Sequence, residues 1–229
     1  MQAVILAAGL GTRMGALTKN TPKPLLKIAD KTLLEHNLLA LPDEIDEVVL
    51  VVGYLKEQIM GFIGPKFAGK KITYVEQKEL RGTAHALSAA KEVLRDRFLV
   101  IMGDDLYYGK DLAELIKYPL SVLVWEMKND DLKDERQAIV KMKGNGEVLD
   151  IIERQPAPQE TLVNTGAYVL DSNFFTLPLV PAGNRTMEFG LPQTFLQMIR
   201  DGARMNIVKA TFWHKVASPE DLIGMPSPI

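Results

Sequence analysis

The chain has 229 residues, 47% of them hydrophobic and 24% charged, with a formal net charge of −2 and no cysteine. That length buries a sizeable core as one domain, or as one domain with two lobes. The near-neutral charge gives no bulk pull toward nucleic acid or a membrane surface, and the absent cysteines exclude a disulfide framework and thiolate metal sites.

The N-terminal residues 1–10 carry no basic stretch, and no apolar run approaches the ~20 residues of a membrane span, so a cytoplasmic protein is expected. The first element is a strand, Ala3–Leu6, an apolar run that leads into a loop with Gly9, Gly11, Thr12, Arg13, Lys23 and Pro24. Small residues after a strand expose backbone N–H groups, and Arg13 and Lys23 add two cations, a combination suited to a polyphosphate. Two other phosphate loops are excluded. A dinucleotide fingerprint needs glycine where Met14 stands, and no Gly-Lys-Ser/Thr occurs for a P-loop.

Next come a helix over Thr32–Leu41, a strand over Val48–Val52, a helix over Leu55–Ile63 and a strand over Ile72–Val75. A helix over Ala84–Leu94, a strand over Phe98–Met102, a helix over Leu112–Lys117 and a strand over Val122–Trp125 follow. This alternation predicts a Rossmann-like α/β fold, with a mostly parallel sheet, helices on both faces and ligands at the carboxyl ends of the strands. The first loop, Gln77–Thr83 and Gly103-Asp104-Asp105 all fall at such ends. Beyond about residue 120 the pattern changes to strands over Ala138–Met142, Val148–Glu153 and Val163–Leu170, with Gly144-Asn145-Gly146 as a hairpin turn. A helix over Glu188–Arg200 follows, then a strand over Met205–Ala210 and a helix start capped by Ser218. The expectation is a first half over about 1–120, with a smaller mixed lobe over about 121–229 packed on it.

Leu6-Ala7-Ala8-Gly9-Leu10-Gly11-Thr12-Arg13-Met14, followed at a distance by Pro22-Lys23-Pro24-Leu25-Leu26, resembles the signature of the sugar-1-phosphate nucleotidyltransferases. Gln77, with Gly82-Thr83 five residues later opening a helix, resembles the second element of that family, and Gly103-Asp104 its metal-binding element. The resemblance implies a fold of the nucleotide-diphospho-sugar transferase type, with the half over about 1–120 binding the nucleotide and the smaller lobe over about 121–229 the sugar phosphate. The implied reaction joins a nucleoside triphosphate to a sugar 1-phosphate, giving an NDP-sugar and pyrophosphate. Leu6, Ala8, Gly9, Gly11, Thr12, Arg13, Gln77, Gly82 and Thr83 would then bind the nucleotide. Arg13 would hold the triphosphate, Lys23 would stand near the reacting phosphates, and Asp104 would bind Mg²⁺. The Gln77 amide has both a donor and an acceptor and can match the N3–H and O4 edge of uracil or thymine, which favours UTP or dTTP. His85 reads as a helix residue near the base. The phosphate nucleophile is already ionised near neutrality, its second pKa being about 6. No general base is required, and positioning with cations carries the chemistry.

For the sugar phosphate the resemblance points to Asp105, Ala138, Glu153, Arg154, Asn164 and Lys215. The chain departs from the family at three of them. Ala138 stands where a glycine is usual, Arg154 replaces a lysine, and Lys215 replaces an aspartate that serves as a second metal ligand. At ~4 Å and an effective dielectric of ~20, a lysine and a divalent cation repel by roughly 8 kcal/mol, so phosphates must lie between them if both occupy the site. Lys215 could neutralise phosphate itself, swing away while Asp105 or Glu220 contributes, or mark an impaired site. Two rivals stay open: a cytidylyltransferase acting on a non-sugar phosphate such as phosphocholine, and a nucleotide-sugar-binding regulatory protein. A homo-oligomer is also left open.

Overall fold

The protein is described by a computed structural model covering residues 1–128, 137–183 and 185–223. Among the described residues, ten strands form the main sheet: β1 (Gln2–Ala7), β2 (Glu47–Val52), β3 (Lys66–Phe67), β4 (Lys70–Glu76), β5 (Arg97–Met102), β6 (Ser121–Glu126), β7 (Gln137–Met142), β8 (Val148–Gln155), β9 (Leu162–Asp171) and β10 (Asn206–Lys209). The order is β8-β7-β9-β5-β1-β2-β4-β3, while β6 pairs with β9 and β10 with β6. β5, β1, β2 and β4 run parallel in the middle of the sheet, and β7, β8 and β9 are antiparallel to their neighbours. The sheet is therefore mixed, with a parallel centre. β9 lies against β5, so the second half of the chain continues the sheet begun by the first. The expected outer bound of that half, residue 229, lies outside the described residues.

β1, β2 and β5 in the parallel centre are apolar along most of their length on both faces, because helices cover both. Val4 and Leu6 of β1 point into a cluster with Leu87 of α3 (Thr83–Ala89) and Phe195 of α5 (Leu191–Arg200). Ala3, Ile5 and Ala7 point the other way, into a cluster with Leu34 and Leu38 of α1 (Leu33–Ala40), Ile59 of α2 (Lys56–Ile63) and Leu112 of α4 (Gly109–Leu115). The period-two alternation of β1 thus assigns each helix to a layer. Thr32 and Glu35 form a reciprocal capping box that starts α1. The Gly144-Asn145-Gly146 signal becomes the β7–β8 turn, with Gly146 at φ +84° and its N–H donating to Lys143 O at 3.0 Å.

Three helix expectations change, the first being Leu112–Lys117, found as α4 from Gly109 to Leu115. α3 ends at Ala89 rather than Leu94, and residues 90–93 continue as turns. The helix expected from Glu188 starts at Leu191, because Arg185–Phe189 is a strand paired with Pro181–Ala182. Extended backbone finds partners there. Phe189 N donates to Arg81 O at 2.8 Å and Gly190 N to Val180 O at 2.9 Å. Pro192, which lacks an N–H, then falls in the first turn of α5, where none is needed. Ser218 does cap a short 3₁₀ turn, Pro219–Leu222, in a box with Asp221. Among the described residues, no helix is long and apolar enough to cross a membrane.

Candidate active site

A cleft of about 550 Å³ opens at the carboxyl ends of β1, β4 and β5. Its lining includes Leu6, Ala8, Gly9, Gly11, Thr12, Arg13 and Lys23 from the first loop, Gln77, Gly82 and Thr83 from the second, and Asp104, Asp105 and Lys215. All three strand-end segments singled out in the sequence meet in it.

The first loop is shaped by Gly11 and braced from behind. Gly11 has φ +65°, and a Cβ there would sit 3.0 Å from Lys23 Cβ and from Thr18 Cγ2, so a larger residue would push Lys23 out of place. Thr18 Oγ1 donates to Gly11 O at 3.0 Å, and Tyr54 OH, just after β2, donates to Lys19 O at 2.8 Å. Lys23 is 5% exposed between its two prolines. Its Nζ donates to Asp104 Oδ2 at 2.7 Å and also to Val216 O.

Asp105 faces the segment that carries Lys215. Its Oδ1 accepts from Val216 N at 3.2 Å and its Oδ2 from Trp213 Nε1 at 3.3 Å. Burial, and then the negative charge of Asp104, push the Asp105 carboxyl up to about 7, against the opposing pull of Lys23, the Val216 N–H and Lys215. Trp213 and His214 also pair with Tyr107 and Leu106, fixing this strap to the chain just past β5. Lys215 Nζ donates to Gln137 Oε1 at 3.4 Å, at the start of β7.

At the other end, Gln77 is 5% exposed, and its Nε2 donates to Gly82 O at 3.1 Å and lies 3.2 Å from His85 Nδ1. The expectation that both halves of its amide meet the base needs correction, because the donor half is engaged inside the protein. Gly82 has φ +88°, and a Cβ there would lie 2.5 Å from Phe189 O. Only glycine allows the Arg185–Phe189 strand to approach this closely.

The remaining sugar-side expectations fare differently. Ala138 on β7, Glu153 and Arg154 on β8 and Asn164 on β9 are not part of the cleft lining. Asn164 braces a bulge in β9, with Nδ2 2.6 Å from Tyr168 OH and Oδ1 accepting from Gly166 N at 3.0 Å. Gly166, at φ +83°, lets that bulge press on Met102, which does line the cleft. The sequence reading missed Glu188, which lines the cleft from the strand before α5. The alternation Met187-Glu188-Phe189 was its signal, a period of two rather than a helical one.

Among the described residues, no group of three or more His, Asp or Glu side chains could enclose a metal. The Asp104 carboxylate is partly exposed in the cleft, while both oxygens of Asp105 are engaged by the strap. That set fits Mg²⁺ held by one carboxylate, with phosphate and water completing its shell.

The family model described as nucleotidyl transferase matches residues 2–226. The chain is 33% identical over 223 residues to the bifunctional protein GlmU of Methanocaldococcus jannaschii, covering 97% of this chain and 53% of that protein. It therefore spans about half the length of that relative. It is 31% identical over 230 residues to the UTP–glucose-1-phosphate uridylyltransferase AglF of Haloferax volcanii, covering 96% of this chain and 93% of that one. In fold it is similar to a UDP-glucose pyrophosphorylase solved with UDP-glucose, at a TM-score of 0.78 and 21% identity, covering 97% and 95% of the two chains. With the three strand-end segments converging on one cleft and the family match running nearly end to end, the chain belongs to the nucleotidyl transferase family.

Proposed function

We propose that this protein transfers the nucleotidyl group of UTP or dTTP to a sugar 1-phosphate, releasing pyrophosphate. One observation carries the reading: Arg13, Lys23 and Lys215 line the same cleft as Asp104, with Gln77 and Gly82 in that same lining. A sugar-phosphate oxygen attacks the α-phosphorus, the bond to the β-phosphate bridging oxygen breaks, and the electron pair leaves with pyrophosphate. Charge builds on the leaving group, so fixed cations do most of the work. Arg13 offers a planar fork to phosphate oxygens. Lys23 is already immobilised by Asp104 and Val216, so little reorganisation is needed when the triphosphate arrives. Lys215 adds charge on the strap side, in the role a second carboxylate-bound metal would otherwise fill. Mg²⁺, held by Asp104, supplies charge neutralisation on the phosphates when bound.

Incubating the protein with each nucleoside triphosphate, Mg²⁺ and a panel of sugar 1-phosphates, while following pyrophosphate, tests this directly. Turnover with UTP or dTTP is expected. Folded protein that releases pyrophosphate with no pair would refute it.

A further inference from the structure

Gln77 has two amide protons, and the protein uses both. Nε2 donates to Gly82 O at 3.1 Å. A carbonyl only accepts, so this contact favours the orientation with the amide nitrogen inward, and the His85 contact adds to that hold. Gly82 O is itself held, because it also accepts from Ala86 N at 3.0 Å in the first turn of α3. The second amide proton faces His85 Nδ1 at 3.2 Å. That geometry needs a lone pair at Nδ1, which puts the ring proton on Nε2. Oε1 is what remains of Gln77 for a ligand, and the side chain is nearly buried, so the amide has little room to turn.

We propose that His85 is a positioning residue for base selection. It holds the carbonyl of Gln77 toward the nucleotide, so the site accepts a pyrimidine whose N3 bears a proton, uracil or thymine. Cytosine, whose N3 carries a lone pair, meets a second acceptor and is turned away. This inference rests on the nucleotidyl-transfer reading and names the substrate class within it. Without His85, one amide proton loses its partner and the amide hangs on the Gly82 contact alone. It can then rotate and present its NH₂ to cytosine.

The experiment compares kcat/KM for UTP and CTP in the wild type, His85→Ala and His85→Asn, with melting temperatures and the KM for sugar 1-phosphate recorded alongside. The wild type is expected to prefer UTP. In His85→Ala the UTP-to-CTP ratio is expected to fall by about tenfold or more, with the sugar-phosphate KM little changed. His85→Asn, whose Oδ1 can stand near the place of Nδ1 as an acceptor, is expected to restore the ratio. A His85→Ala enzyme that keeps the wild-type ratio overturns the inference alone, as does one that loses activity equally with both nucleotides. A wild type with no preference for uracil or thymine over cytosine overturns the nucleotide reading itself, before any variant is made.

Discussion

Lys23 Nζ stands 2.7 Å from Asp104 Oδ2, joining the first loop to the end of β5 across 81 residues of sequence. The same ammonium reaches Val216 O, so one cation ties together three separate chain segments. Lys23→Ala removes the charge proposed to neutralise phosphate and leaves the Asp104 carboxylate and the Val216 carbonyl without that donor. Loss of one preorganised charge of this kind costs about 10²–10³ in kcat. Steady-state pyrophosphate release is expected to show a fall of that size with the NTP still bound.

Under the proposed function Asp104, whose carboxylate is partly exposed in the cleft, would hold Mg²⁺ with the phosphates. Chelation with EDTA is expected to abolish turnover and added Mg²⁺ to restore it. Asp104→Asn is expected to raise the Mg²⁺ concentration needed for half-maximal rate. An Asn variant with the wild-type Mg²⁺ dependence would remove Asp104 from the metal site.

Lys215 lies in the cleft with Arg13 and Lys23. Lys215→Ala is expected to slow turnover by about 10²-fold, in keeping with removal of one charge aimed at the phosphates. Lys215→Asp is expected to be no better. A gain in kcat with Asp would instead identify the wild-type lysine as a brake on metal-assisted catalysis.

Asp105 gives the fold a pH dependence whose sign can be worked out. Its carboxyl is raised from 3.8 to about 7 in the fold. Between those values the folded protein keeps a proton that the unfolded chain has released. This contribution to stability is complete below the unfolded value and is lost as pH rises through the folded one. Asp105→Asn cannot titrate there. Melting curves in EDTA are therefore expected to show the wild type losing stability relative to Asp105→Asn between about pH 4 and pH 7, with no further divergence above.

Gly82→Ala places a methyl group 2.5 Å from Phe189 O, at a residue with φ +88°. The backbone conformation alone costs about 1–3 kcal/mol, and the clash adds to it. A lower melting temperature and a raised KM for the nucleotide are expected together. An unchanged nucleotide KM would separate this turn from the base site.

The central strands were legible because a buried parallel strand has to be apolar on both faces, and Val48–Val52 and Phe98–Met102 can be little else. The first loop was legible because its glycines, cations and prolines all lie within one short stretch. Features set by distant partners were not. Asp105 looks like a ligand beside Asp104, yet its oxygens meet Trp213 and Val216, which lie 108 and 111 residues further on. The donor half of Gln77 was hidden for the same reason at shorter range, since only the fold brings His85 Nδ1 to it. Glu188 was assigned to a helix because the strand that precedes α5 is stabilised by the Arg81 carbonyl, a partner that no local pattern reveals.

Leu191 N donates to Thr83 Oγ1 at 3.0 Å, and Phe189 N to Arg81 O at 2.8 Å, so two cross-links join the turn before α3 to the chain entering α5. Neither stretch can be displaced without dragging the other. Amide protons on both sides of this double link should therefore exchange with deuterium at a common rate, as one opening event, and occupancy of the cleft at Gly82 should slow exchange at the head of the C-terminal helix.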